Sequence, residues 1–351
     1  MSIYKRDLLI YAGISIFAIV LAQLFPAYIT QIAVMFLMVI LAQTWDLQGG
    51  QMGYNSLGNI MFFGIGMYVS SIIQIAMLYG WGGVGEYTSA SGSIKVEILK
   101  DNYLYGMFLG AFAAGIVCVL FAFVFGQIFL LFRGPYFAIG TLGMVLAVAE
   151  LVSSWEWVGA GGGLSLPVYP AVDPTESGRL YFYCFLAISA ICFAFISWVT
   201  STRFGLALNA IRDDEAKAEA MGIRTLRYKV SSWMISAFFL GLAGAIFGNM
   251  SNFIEPLEVA FPTITFGVFM VVMALLGGKG TVWGPVVGAV IFHIIKETTW
   301  TYMLGYQWVA LGLLIIVIVI FFNQGIMGSL AERYPHWFGI KIEEDPEEAS
   351  T

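Results

Sequence analysis

Few side chains in this sequence could do covalent chemistry. It holds two histidines, His293 and His336, and three cysteines, Cys118, Cys184 and Cys192, which lie inside apolar runs without metal-ligand spacing. It has no H-E-x-x-H, no G-x-S-x-G and no Walker-type phosphate loop. Hydrolysis at a metal or serine centre, and ATP cleavage on this chain alone, are therefore not expected. What stands out is a dense run of charge, "RDDEAKAEAM" from Arg212 to Met221, set between apolar stretches. Acids and cations without a nucleophile beside them suit recognition, because they fix the register and orientation of a docked partner.

The run carries the signals of a short helix. Asp213 reads as an N-cap, and Asp214 and Glu215 follow where the positive end of a helix dipole favours acids. Ala216, Ala218 and Ala220 propagate the helix and Gly222 is a natural terminator, so the spacing predicts a helix over 214–221. Beyond it, "IRTLRYK" puts three cations at a membrane surface. A solvated connecting loop is the plainer reading. Such a loop, however, needs no capped helix with its own stop signal.

The elements around this segment are built for lipid. Of 351 residues 60% are hydrophobic and 11% charged, with a mean hydropathy of +0.86, whereas soluble domains carry roughly 25% charged residues. No charged residue occurs from Leu8 to Trp45, Leu47 to Gly85, Asn102 to Phe132 or Thr298 to Ala331. A span needs about 20 apolar residues. Breaking the runs at Gly, Pro and charge predicts an all-α polytopic membrane protein with ten spans, near 8–29, 30–46, 55–80, 104–132, 135–155, 180–200, 230–253, 262–278, 283–299 and 302–322. The first is kept as a span, not a secretory signal, because its apolar stretch is too long and lacks a cleavage site.

Starting with Lys5 and Arg6 in the cytoplasm and alternating sides puts twelve of the 16 Lys and Arg residues inside. Only Lys95, Lys100, Arg179 and Lys296 fall outside, which is the expected positive-inside bias. Both termini are then cytoplasmic. The reading is one transmembrane domain over 1–322, with outside loops near 81–103 and 156–179, a cytoplasmic segment at 201–229 and a solvated tail at 323–351.

Two glycine clusters interrupt otherwise good spans: Gly49, Gly50, Gly53 and Gly58, then Gly277, Gly278, Gly280, Gly284 and Gly288. Glycine costs about 1 kcal/mol against alanine in a helix, so clusters need a reason. Close helix packing is one; a broken helix beside a translocation path is the other. The second cluster leaves both open. The first favours the path, because Gln48, Gln51, Asn55, Ser56 and Asn59 bring polar groups that lipid does not tolerate. Asp46, Glu150, His293, Lys296 and Glu297 all lie near span ends or glycine breaks, and His293 could pair with Glu297 at the outer surface. A proton- or sodium-coupled carrier would keep an acid or histidine deeper in its bundle.

Four stretches in order carry a resemblance. "MGYNSLGNIMFFGIGMY", "FRGPYFAIGTLGM", "TRFGLALNAIRDDEAKAEAMGIRTLRYK" and "GGKGTVWGPVVGAVIF" are similar to the segments of permeases in ABC importers for branched-chain amino acids, of the LivM-like branch. The resemblance implies a type II-like importer permease with some broken or re-entrant helices. It implies that the helix near 213–222 (Asp213, Asp214, Glu215, Ala218, Glu219, Ala220, Met221 and Gly222) couples to an ATPase, and that the first glycine break lies beside the translocation route. It implies no cofactor on this chain, with ATP and Mg on partner ATPases. The implied partners are a second related permease, two ABC ATPase subunits and a soluble substrate-binding protein; nucleic acid is not among them. The implied setting is a bacterial or archaeal cytoplasmic membrane. A permease for urea or short amides is the near alternative, and an ion-coupled transporter or channel the distant one.

Overall fold

Inside hydrocarbon the backbone must satisfy its own polar groups, and a helix does so within one segment. A computed structural model describes residues 3–81, 84–85, 87, 100–170, 173–302, 306, 308–309, 312–313, 316 and 325–333. Its helices are α1 (Ile3–Leu24), α2 (Ile29–Gly49), α3 (Ile60–Tyr79), α4 (Lys100–Phe129), α5 (Pro135–Ser153), α6 (Pro174–Thr200), α7 (Arg203–Asp213), α8 (Glu215–Ala220), α9 (Thr225–Ser251), α10 (Val268–Gly277), α11 (Gly284–Tyr302) and α12 (Gly325–Arg333). Among the described residues, eight helices are long and apolar enough to cross a membrane: α1 to α6, α9 and the stretch Pro256–Gly277.

These eight correspond to the first eight expected spans, with shifted ends. The eighth begins earlier than expected, as two π-helical turns, Pro256–Ala260 and Thr263–Gly267, that run into α10. The ninth forms as α11 but falls outside the apolar set, since "KETT" from Lys296 to Thr299 interrupts its second half. Most of the tenth span, of the 81–103 loop and of the C-terminal tail lies outside the described residues. The described part of the tail is helical and docked: α12 packs on α10 and α11, with Gly325 set close against the backbone of Gly278.

Helices α3, α4 and α9 form the most extensively packed group, with α2 laid against α6, α9 and α11. Small residues permit this. A Cβ at Gly66 would stand 2.3 Å from the Gly241 carbonyl, and one at Gly244 2.0 Å from that of Phe63, so α3 and α9 meet backbone to backbone. Phe17 on α1 and Phe108, Phe112 and Leu120 on α4 stay exposed, as lipid-facing side chains do.

The expected alternation of spans is visible in which loops meet. Residues 50–59, Arg133, α7, α8 and Gly280 gather at one end of the bundle. The 156–170 loop gathers at the other, through two short turns and a two-residue strand, β1 (Leu164–Ser165), antiparallel to β2 (Phe253–Ile254).

Candidate functional site

The charged segment folds as two helices meeting at a corner. Thr202 caps α7, its hydroxyl accepting from the Phe204 amide at 3.3 Å. Helix α7 runs through Asp213, so the capping role passes to Asp214, one residue later than the sequence suggested. The extended Asp214 backbone turns the chain, and its Oδ1 accepts from the Lys217 amide at 3.1 Å while Lys217 Nζ sits 3.2 Å from Oδ2. The helix ends with the Gly222 amide donating to Glu219 O and the Ile223 amide to Ala218 O, with Gly222 at φ +88°. That left-handed position suits glycine, as expected for a C′ residue.

Helix α8 is fastened on one side and open on the other. Ala218 is buried and Glu215 points inward, whereas Asp213, Ala216, Glu219, Ala220, Met221 and Gly222 are exposed, Met221 to 84%. The Glu215 side chain is only 11% exposed and that of Lys229 3%. Lys229 Nζ donates to Glu215 Oε1 at 2.7 Å, to the Leu130 carbonyl at 2.7 Å and to the Tyr54 hydroxyl at 3.0 Å. The Tyr54 hydroxyl donates to the other Glu215 oxygen, and Arg133 Nε lies 3.2 Å from it. Arg133 also reaches Glu219, 3.6 Å away, and Glu219 accepts from the Thr225 hydroxyl. One carboxylate thus ties α8 to α9, to the end of α4 and to the first glycine break.

Lys229 therefore corrects the expectation of three surface cations: Arg224 and Arg227 are exposed, but Lys229 is buried. Its helical phase held the signal, since Ser232, Trp233 and Ser236, at i+3, i+4 and i+7, are all buried with it.

Burial pushes the Glu215 carboxyl up, but the hydrogen bonds from Lys229 and Tyr54 and the charges of Lys229 and Arg133 outweigh it and hold the group below its ordinary value. A depressed carboxyl stabilises the fold fully above its unfolded pKa, and that contribution disappears as pH falls through the folded value. The melting-temperature gap between wild type and Glu215→Gln should stay constant above pH 4.5 and close below it. A gap that widened on acidification would contradict this assignment.

The two glycine clusters meet each other. Asp46, buried in the last turn of α2, accepts from the Gly280 amide at 2.7 Å, and Gln51 Nε2 donates to the Gly280 carbonyl at 2.8 Å. Arg212 Nη1 reaches the Gly50 carbonyl at 3.4 Å, and Gly53 is packed against the Arg212 side chain. The other residues of the first break turn inward. Asn59 donates to Gln48 at 2.8 Å and accepts from Trp233 Nε1 at 2.9 Å, and the Ser56 carbonyl accepts from Trp45 at 2.7 Å. A Cβ on Gly49 would strike the Trp45 ring, and one on Gly58 the Thr141 carbonyl. Asn55 is exposed at the charged end.

The second cluster has two structural parts. Gly277, Gly284 and Gly288 press α10 and α11 together, while Gly278 and Gly280 form the turn that docks on the first break. Arg133, Lys229, Tyr54 and Arg212 join this site without a sequence signal that assigned them to it, and Gln51, expected as a polar group of the first break, finds its partner in Gly280. His293 is buried, and Glu297 pairs with Lys296 at 2.9 Å, so the expected His293–Glu297 surface pair is replaced.

Apolar spans surround an end where two broken helices and a fastened helix pair converge, and the described residues contain no group of metal-ligating side chains. This is the build of an all-α polytopic membrane protein. The chain belongs to the family described as branched-chain amino acid transport system / permease component, whose model matches residues 27–322.

Among curated relatives, the high-affinity branched-chain amino acid permease LivM of Salmonella typhimurium is 25% identical over 76% of this chain and 67% of its own length. LivH of Escherichia coli, named as a permease of the same kind of system, is 24% identical over 80% of this chain and 89% of its own. The guanosine ABC transporter permease NupQ of Bacillus subtilis is 31% identical over 33% of this chain and 36% of its own. No solved structure matches the chain.

Proposed function

We propose that this chain is the membrane subunit of an ATP-driven importer that moves branched-chain or other hydrophobic amino acids into the cell. One observation carries the reading. Helix α8 is locked inward by a buried ion pair while its Ala216 and Ala220, and Met221 just beyond its end, are exposed. A helix held firmly from behind and bare in front is built to receive a push.

In this reading α7 and α8 face the cytoplasm, with both termini on the same side, and α8 seats in a groove of an ABC ATPase. ATP and Mg are held by two such ATPases. A second related permease completes the pore, and a soluble protein delivers substrate to the opposite end. Closure of the ATPases moves α8, Glu215 passes the motion to α9 and Tyr54, and Arg212 passes it to the glycine breaks. Asn55 and the residues around it are then positioned at the inner mouth of the route.

Met221→Asp tests docking directly, because Met221 makes few contacts within the chain. In the reconstituted complex we expect substrate-stimulated ATP hydrolysis and uptake to fall at least tenfold, with the melting temperature of the isolated chain unchanged. Uptake by membranes holding this chain alone, driven by a proton gradient, would sink the importer reading. The similarity to NupQ favours a second cargo, a nucleoside, and competition of uptake by leucine or by guanosine separates the two.

A further inference from the structure

Two cavities lie along α9 and share one lining residue, so that together they trace a groove. The first, about 450 Å³, is lined by Arg224, Arg227 and Tyr228 with Phe204 of α7 and the Met221–Gly222 end of α8. The second, about 470 Å³, lies between Val119 of α4, Phe195 of α6 and Met234, Ile235 and Phe238 of α9. Ser231 lines both. Residues 224, 227, 231, 235 and 238 form a single stripe on α9, spaced three or four apart.

The stripe has a charged head and an apolar body. Arg224, the N-cap, and Arg227, in the first turn, stand at the start of a membrane-crossing helix and make no ion pair among the described residues, whereas Arg133, Arg212, Lys217 and Lys229 nearby are paired. Of the other unpaired cations at this end, neither Arg203 nor Lys279 lines the groove. Below them the groove is aliphatic and aromatic. From Arg227 to Phe238 is about 16 Å at 1.5 Å per residue, half of a hydrocarbon core of roughly 30 Å. That is the depth of one leaflet. Phe204 and Tyr228, their rings 5.2 Å apart, border the charged mouth where aromatic side chains favour the interface.

We infer that this groove binds one anionic phospholipid, its phosphate between Arg224 and Arg227 and an acyl chain along Ser231, Ile235 and Phe238. Two unpaired guanidiniums at headgroup depth attract negative charge, and basic pockets between membrane helices are suited to such headgroups. The headgroup then adjoins the Met221–Gly222 end of α8, so lipid charge bears on the helix pair described above. The inference needs only that the chain lies in a bilayer. It stands or falls apart from the ATPase reading.

The test uses the full chain in detergent, with native mass spectrometry after titration of dioleoyl phosphatidylglycerol or dioleoyl phosphatidylcholine. Wild type should retain the phosphatidylglycerol at least tenfold better, and less so as salt rises. R224Q/R227Q should erase that preference without lowering the melting temperature. Ile235→Trp, which fills the apolar part, should weaken retention of both lipids, and it serves as the test if the double variant does not fold. Equal retention of the two lipids by wild type, or a preference that survives R224Q/R227Q, overturns the proposal. So does displacement by glycerol phosphate as effective as by intact lipid, which would mark a site for a free phosphate. Cross-linking of Arg224 or Arg227 positions to an ATPase with lipid excluded would assign the arginines to protein docking and overturn it too.

Discussion

Replacing Glu215 with glutamine will strip the buried Lys229 of its countercharge. Removing one member of a buried ion pair costs about 3–5 kcal/mol. The low end applies here, because the Tyr54 hydroxyl and the Leu130 carbonyl still hold the ammonium. The same substitution loosens α8 from α9 and from the first glycine break. We expect a clear fall in melting temperature and at least a tenfold loss of uptake in the reconstituted complex. The double variant Glu215→Leu with Lys229→Met should recover stability, since an apolar pair of similar volume often replaces a buried salt bridge without loss. If Glu215→Gln melts and transports like wild type, the ion pair is not what fastens the helix.

Gly277→Ala and Gly288→Ala will prevent the chain from reaching its fold. A Cβ at Gly277 would stand 1.7 Å from the Gly284 carbonyl oxygen, and one at Gly288 1.9 Å from that of Met273. These are backbone atoms and cannot swing aside, so α10 and α11 would have to separate. The expected readout is a folded yield, by size-exclusion chromatography of the solubilised protein, at least tenfold below wild type. Gly222→Ala supplies the contrast. Nothing lies within 4 Å of its missing Cβ, and only its positive φ resists a side chain. The left-handed conformation costs roughly 1–2 kcal/mol for an L-residue, and the folded yield should stay near normal. Equal yields for all three variants would show that the α10–α11 contact is looser than described.

Much of this architecture was legible because lipid leaves few choices. Runs free of charge from Leu8 to Trp45 and from Asn102 to Phe132 had to become helices, and Pro, Gly and charge marked where they end. The existence of α8 was legible from Ala216, Ala218, Ala220 and Gly222. Its cap was not, because Thr202 begins a helix that absorbs Asp213, and two adjacent aspartates give a sequence no way to choose between them. Pairings across the fold were harder still. Nothing local in "FRGPYF" tells Arg133 to meet Glu215, and nothing in "QGGQ" tells Gln51 to meet Gly280. Such contacts depend on which spans are neighbours, which hydropathy does not encode. Lys229 was the recoverable miss, since its helical phase shares a face with Trp233 and Ser236.

The stitch from Asp46 and Gln51 to Gly280 makes a single latch out of hinges that lie more than two hundred residues apart in the chain. Because Arg212 also reaches the Gly50 carbonyl, the end of α7 is fastened to the same join.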